Sequence, residues 1–337
     1  MTLQACLGLV VALTMAQAAA APRQAWTPPR TPDGQPDLQG VWANNTVTPF
    51  ERPRQLADKP FLSDEEVAVM QQRVRKLFDG SGDLAVGDAL YLALLTNPDQ
   101  YKATGVGDYN FVWIDDGLVV EKQTSQVVDP PDGRLPPTTE AGRQKQAAAI
   151  AARREHPADG PEDRTLGERC LTWGTARVGF LQSRNNSFYE IVQTPTYVVL
   201  HNEMIHEARI IPIDGRPHAA PGVRSWSGDS RGRWDGATLV IDTTNFAPQT
   251  RPVLGLGASG EHVHLVERLT PIDRDTLRYE VTIEDPTTWT RPWTAVTTWK
   301  RSPERMFEFA CHEANYGLTG ILAGARSDEK AAESGKK

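Results

Sequence analysis

Between Phe188 and Phe309 the chain breaks into eight short runs of strand-forming residues separated by turn signals, a spacing that points to an antiparallel β fold. The runs are Phe188 to Gln193, Tyr197 to His201, Ala208 to Ile213, Thr238 to Thr243, His264 to Thr270, Thr276 to Glu284, Trp293 to Lys300 and Met306 to Ala310. Asp214-Gly215, Trp234-Asp-Gly236 and Asp273-Arg-Asp275 lie between runs and suit hairpin turns. In Thr276 to Glu284 the alternation is unbroken, with Leu277, Tyr279, Val281 and Ile283 on one face and Arg278, Glu280, Thr282 and Glu284 on the other. That is the pattern of a strand buried on one side. The expected architecture is mainly β, an antiparallel β-barrel or two-sheet sandwich of lipocalin-like style over residues 169 to 325.

The first half reads differently. Residues 22 to 60 form an extended, proline-rich arm in which Thr31 to Asp37 is a series of turns, and residues 61 to 168 form an irregular α+β region packed on the barrel. Ser63 followed by Glu66 is a capping box that starts a helix running to about Phe78, and Gly142 to Arg154 is a second helix with a thin apolar face. Phe111 to Ile114 and Gly117 to Val128 read as short strands, and residues 326 to 337 as a disordered charged tail.

Residues 1 to 21 have no charge, an apolar run from Leu7 to Met15 and a small-residue cleavage pattern at Ala16-Gln-Ala18, which predicts a signal peptide and a periplasmic or secreted protein. No later stretch has the ~20 apolar residues of a membrane span. Loss of the leader removes Cys6 and leaves Cys170 and Cys311, for which a disulfide is expected in an oxidising compartment, with two buried thiols as the alternative. A formal charge of -7 spread over mixed signs gives no electrostatic footprint for nucleic acid.

Six of the seven histidines lie between His201 and His312, inside the β half, which suggests acid/base work or a metal. On the run from Leu265 to Leu269 the apolar face also carries Glu267, so a carboxylate is predicted to point inward. Burial would raise its pKa and fit it for acid or base catalysis, with His206 or His264 as its counterpart. His262-Val-His264 has loose metal-site spacing, with solvent-facing histidines near a strand start as the alternative, and so have His201, Glu203 and His206, with a polar hairpin tip as the alternative, so neither metal nor cofactor is specified. The segment Trp226 to Trp234, read as a loop, offers glycines, arginines and flat aromatic walls; Arg209, His218, Trp226, Asp229, Arg233 and Trp234 are the candidate substrate contacts. Gly228-Asp-Ser230-Arg-Gly232 matches a nucleophile elbow literally, but the strand that follows is the wrong context.

The segments Thr31-Pro-Asp-Gly-Gln-Pro-Asp-Leu-Gln-Gly-Val-Trp42, Glu190-Ile-Val-Gln-Thr-Pro195, Ile213-Asp-Gly-Arg-Pro-His218, Gly232-Arg-Trp-Asp-Gly236 and Ala310-Cys-His-Glu-Ala-Asn315 resemble those of a family of uncharacterised exported bacterial proteins common in soil and water. The resemblance implies export and carries no catalytic residues. Two functions follow as expectations: general acid/base chemistry of lyase, isomerase or hydrolase type on a small or oligomeric neutral or amphipathic substrate, or non-catalytic ligand binding of lipocalin style. A third is a surface module whose arm docks a partner.

Overall fold

The computed structural model describes residues 26–77, 88–96, 118–176, 187–251, 256–257, 259–313 and 315–335. The expected signal peptide and the strand expected at Phe111 to Ile114 lie outside them. Ten antiparallel strands form one sheet: β1 (Gly40–Ala43), β2 (Val127–Asp129), β3 (Phe188–Gln193), β4 (Tyr197–Asn202), β5 (Ala208–Pro212), β6 (Asp229–Asp235), β7 (Thr238–Thr244), β8 (His264–Asp273), β9 (Thr276–Glu284) and β10 (Trp293–Ser302). The order across the sheet is β5-β4-β3-β1-β10-β9-β8-β7-β6, with β2 on the flank of β10.

The period-2 pattern decides what points inward. Leu277, Tyr279, Val281 and Ile283 of β9 are buried, as are Leu265, Glu267 and Leu269 of β8 and Trp293, Ala295, Thr297 and Trp299 of β10. Each large apolar side chain so buried is worth about 1.5–3 kcal/mol. These residues share one core with Ile191, Val198 and Ile211 from the other end of the sheet, so the sheet is rolled upon itself. The two edge strands, β5 and β6, come together there. A Cβ at Gly232 of β6 would lie 2.7 Å from the Ile213 side chain and 3.0 Å from that of Ile211, yet no ladder joins the two strands among the described residues. The result is a barrel with one seam closed by packing instead of hydrogen bonds.

Tryptophans fill this barrel. Trp299 is stacked between Tyr189 (4.5 Å between centroids) and Tyr279 (4.9 Å), and Trp293 meets Trp289 and Phe50 edge-on. The N-terminal half adds a second, smaller core beneath α1 (Asp64–Leu77) and α2 (Asp88–Leu95), formed by Leu62, Met70, Val74, Tyr91, Leu94 and Val120 among others. The capping box at Ser63 and Glu66 is formed, and α3 (Glu140–Glu155) starts two residues earlier than expected, capped by Thr139.

Five expectations are corrected. The arm contributes β1 to the middle of the sheet, between β3 and β10, because Val41 and Trp42 complete the register and Arg301 lies 4.2 Å over the Trp42 ring. Asp229 to Trp234 is strand β6 and not loop; it pairs with β7 through a turn in which Gly236 takes φ +61. Met306 to Ala310 is not a strand, since Pro303 and the turn after Ser302 end the ladder and Cys311 is drawn away to Cys170. The charged tail is mostly helical: α4 (Tyr316–Ser334) is capped by Asn315, rich in alanine, and held through Arg326 to the carbonyls of Ala158 and Asp159. Asp214-Gly215 likewise opens a long β5–β6 connection and not a hairpin.

The expected disulfide joins Cys170 to Cys311, across 141 residues of chain. It fastens the segment after β10, and through it α4, to the loop before β3. Replacing both cysteines by serine is expected to lower stability by about 2–4 kcal/mol. The measurement is denaturant unfolding of the oxidised protein beside the Cys170→Ser/Cys311→Ser variant, and equal midpoints would show that the bridge restrains only the terminal helix.

Candidate functional site

Polar side chains gather in two places, one inside the barrel and one on its outer face. Inside, Arg209 of β5 reaches across to Glu267 of β8, with Nη1 donating to Oε2 at 2.7 Å and Nη2 to Oε1 at 3.0 Å. The Tyr279 hydroxyl donates to Glu267 Oε1 at 2.8 Å. Glu267 is fully buried and Arg209 is 5 % exposed. Burial opposes the charge on Arg209, but the carboxylate beside it, with Tyr279 and Glu207 further off, outweighs that and raises the guanidinium above its ordinary value. Two parallel hydrogen bonds thus join the pair, and a third reaches Glu267 from Tyr279.

This arrangement corrects the catalytic expectation for Glu267. The residue does face inward, but a carboxylate held by a two-pronged arginine and a tyrosine hydroxyl is a bound anion and not a free acid or base. Its expected counterparts are elsewhere. His264 is three residues back on β8, hence on the opposite face, and His206 is exposed in the β4–β5 turn with Nδ1 2.9 Å from the Phe309 carbonyl oxygen. Arg209, expected to hold substrate, neutralises Glu267 instead. Ser230 faces the core and shares a hydrogen bond of 2.9 Å with Thr243, so the elbow-like motif is a buried strand residue. Among the described residues no group of three or more histidine, cysteine or carboxylate side chains is arranged to hold a metal ion.

On the outer face the structure joins residues that the sequence scatters. Asp229 and Arg231 of β6, His218 of the β5–β6 connection, Asp242 of β7, His264 of β8 and Glu284 of β9 form one chain of contacts. His218 Nδ1 lies 2.9 Å from Asp229 Oδ2 and its Nε2 2.9 Å from Asp242 Oδ1. His264 Nε2 lies 2.9 Å from the other oxygen of Asp242, and its Nδ1 is 3.6 Å from Glu284 Oε2. Arg231 donates to Asp229 at 2.6 Å, and the Ala219 amide does so at 2.8 Å. Burial alone would raise the Asp229 carboxyl, but the Ala219 amide, His218 and Arg231 together hold it below the usual carboxylate value. Neutral imidazole has one N–H, so both contacts of His218 are hydrogen bonds only when the ring carries two protons.

His218, Asp229 and His264 were legible as candidates; Asp242 was not. It was the missing link because β6 read as loop, and only the β6–β7 register, which sets Arg231 opposite Asp242, brings the four together. Arg233 is exposed on the outer face of β6, Trp234 packs against the core, and Trp226 is half-buried in the connection. These three do not converge on the outer centre.

Neither a family model nor a curated protein matches the chain. A crystal structure described as a "secretary abundant heat soluble (SAHS) protein" from Ramazzottius varieornatus is similar over 34% of this chain and 70% of its own, at 11% identity and a TM-score of 0.23. A likeness that slight carries no argument about fold or activity. No helix among the described residues is long and apolar enough to cross a membrane.

Replacing Glu267 by glutamine strands the Arg209 charge in the core, with an expected loss of about 3–5 kcal/mol in a denaturant titration. The double variant Arg209→Met/Glu267→Leu is expected to recover most of that loss. A double variant as unstable as the single one would show that the pair contributes more than mutual neutralisation.

Proposed function

We propose that this is an exported protein that performs general acid/base chemistry on a small or oligomeric, neutral or amphipathic substrate, with the reacting centre on the outer face of the barrel. One observation carries the reading: His264 is oriented through Nε2 by Asp242 while its Nδ1 faces outward beside Glu284, on a ring 38% exposed. A carboxylate-oriented imidazole with one open nitrogen is the arrangement that moves protons to and from a bound molecule near neutral pH. In this reading His264 is the base or acid at Nδ1, Asp242 fixes its tautomer, and Glu284 is the second titrating group within reach of the same substrate atom. His218, Asp229 and Arg231 hold Asp242 in place. The reaction class is lyase, isomerase or hydrolase. Export is supported by the uncharged, apolar first 20 residues and by the Cys170–Cys311 bridge, which fits an oxidising compartment.

A second reading, non-catalytic ligand binding within the barrel, is favoured by a different observation. The indole nitrogens of Trp293 and Trp299 and the Thr297 hydroxyl, all on the inner face of β10, are buried without a hydrogen-bond partner. Native proteins rarely leave such donors unpaired, and an oxygen-bearing ligand would satisfy them.

The two separate in one screen. Purified protein is offered chromogenic neutral esters, lactones, glycosides and epoxides, with thermal shift read in parallel. The acid/base reading expects turnover that His264→Gln reduces about 10²-fold or more at an unchanged melting temperature, and that Asp242→Asn also reduces. Turnover that survives His264→Gln sinks it, and a ligand-dependent rise in melting temperature without turnover favours the binding reading.

A further inference from the structure

The β5–β6 connection, residues 213–228, joins the two strands that meet at the seam of the barrel without a ladder between them. The seam itself is held by Ile211 and Ile213 packed on Gly232, and, deeper in, by Arg209 of β5 bound to Glu267. The connection is pinned to the outer face by polar contacts gathered around His218. The Pro217 carbonyl accepts from Arg231 Nε at 2.9 Å, His218 bridges Asp229 and Asp242, the Ala219 amide donates to Asp229, and Asn245 Nδ2 donates to the Ala219 carbonyl at 3.0 Å.

We propose that this connection is a proton-operated strap on the barrel seam, fastened while His218 carries two protons between Asp229 and Asp242 and released when it loses one. The strap shares Asp242 and its His218 support with the acid/base reading above, but it does not depend on turnover at His264, so either can fail alone. Fastened, the ring is a cation between two anions, each contact a charge-assisted hydrogen bond. On losing a proton it keeps one donor for two carboxylates, and Asp229 and Asp242 then face each other with less positive charge between them.

Charged groups from every element around the ring agree with this. On the connection itself Asp214 and Arg216 are paired with each other, and Arg224 is 3.7 Å from Glu261. On β6, Asp229 is shared with Arg231; on β7, Asp242 is shared with His264 of β8; and Glu284 of β9 stands behind His264. Among the described residues, Arg231 is the cation that contacts Asp229 besides His218, and no arginine or lysine contacts Asp242.

The sign is fixed at both ends. The Asp229 carboxyl is held below its ordinary value, so its contribution is present above that value and fades only as acid protonates it. The His218 contribution is present while the ring is doubly protonated and fades as pH rises. The strap is therefore tighter on the acid side and loosens as pH rises. Its release frees the ends of β5 and β6 to part.

Hydrogen exchange of the amides in residues 217–228, corrected for the intrinsic rate at each pH, tests this on the whole protein. Protection is expected to fall about ten-fold between about pH 5.5 and about pH 8.5, the size of one charge-assisted hydrogen bond. His218→Asn and Asp229→Asn are expected to be poorly protected at both pH values, whereas His264→Gln keeps the pH dependence. Nitrogen-15 spectra are expected to show both ring nitrogens of His218 protonated at the lower pH. Equal protection at the two pH values, or a singly protonated His218 at the lower one, overturns the proposal whatever the outcome of the substrate screen.

Discussion

A guanidinium and a carboxylate survive in a dry core only by touching each other, and Arg209 and Glu267 do so from strands with five others, β4, β3, β1, β10 and β9, between them along the sheet. No flat or gently twisted sheet brings them within 3 Å. The bond is therefore possible only when the sheet is rolled, and the roll in turn sets Ile211 against Gly232 and stacks Tyr189, Trp299 and Tyr279 in the interior. Buried ion pairs add little net stability over a well-packed apolar alternative, because desolvation offsets the attraction. Their stronger effect is on the alternatives: a register slip of one residue on β8 would leave Arg209 without a counter-ion inside the core.

The same strand sends its two chemistries to opposite sides. Glu267 lies inside with Leu265 and Leu269, and His264 outside with Val266 and Arg268. One sheet thickness thus separates a closed ion pair that holds the barrel together from an open chain of histidines and carboxylates that can exchange protons with solvent. The inner carboxylate accepts three hydrogen bonds. The outer chain is satisfied only in part, since Asp242 is shared by two imidazoles and His264 keeps one nitrogen free of any contact shorter than 3.6 Å. Proton chemistry belongs where the network is incomplete and exposed, which is the physical ground of the proposal that function lies on the outer face.

Much of the fold was legible because most strands alternate in the plain way. β9 matched residue for residue, and the inward placement of Glu267 followed from counting by twos. β6 was hidden because Asp229-Ser-Arg-Gly-Arg-Trp-Asp235 has no β-branched residue and a glycine at its centre, and local propensity argues for a loop. That glycine is there for a partner that sequence cannot show, the Ile211 and Ile213 side chains across the seam. β1 was hidden for a related reason: four residues in a proline-rich arm become a strand only because β3 and β10 leave a gap of one strand between them. With β6 and its register unseen, the link through Asp242 was unseen as well, so the candidate residues could be named but not assembled.

By itself the sequence determined the β class, the phase of β8 and β9, the capped helix start at Ser63 and the identity of the two bridged cysteines, because each of these depends on neighbours within a few residues or on simple pairing. Only the tertiary structure decided that Glu267 is bound to Arg209, that His264 looks away from it, and that His218 and His264 share one aspartate. Those facts depend on which strands lie side by side and in what register, and that is set by the closure of the whole sheet, a property carried by no single segment of the chain.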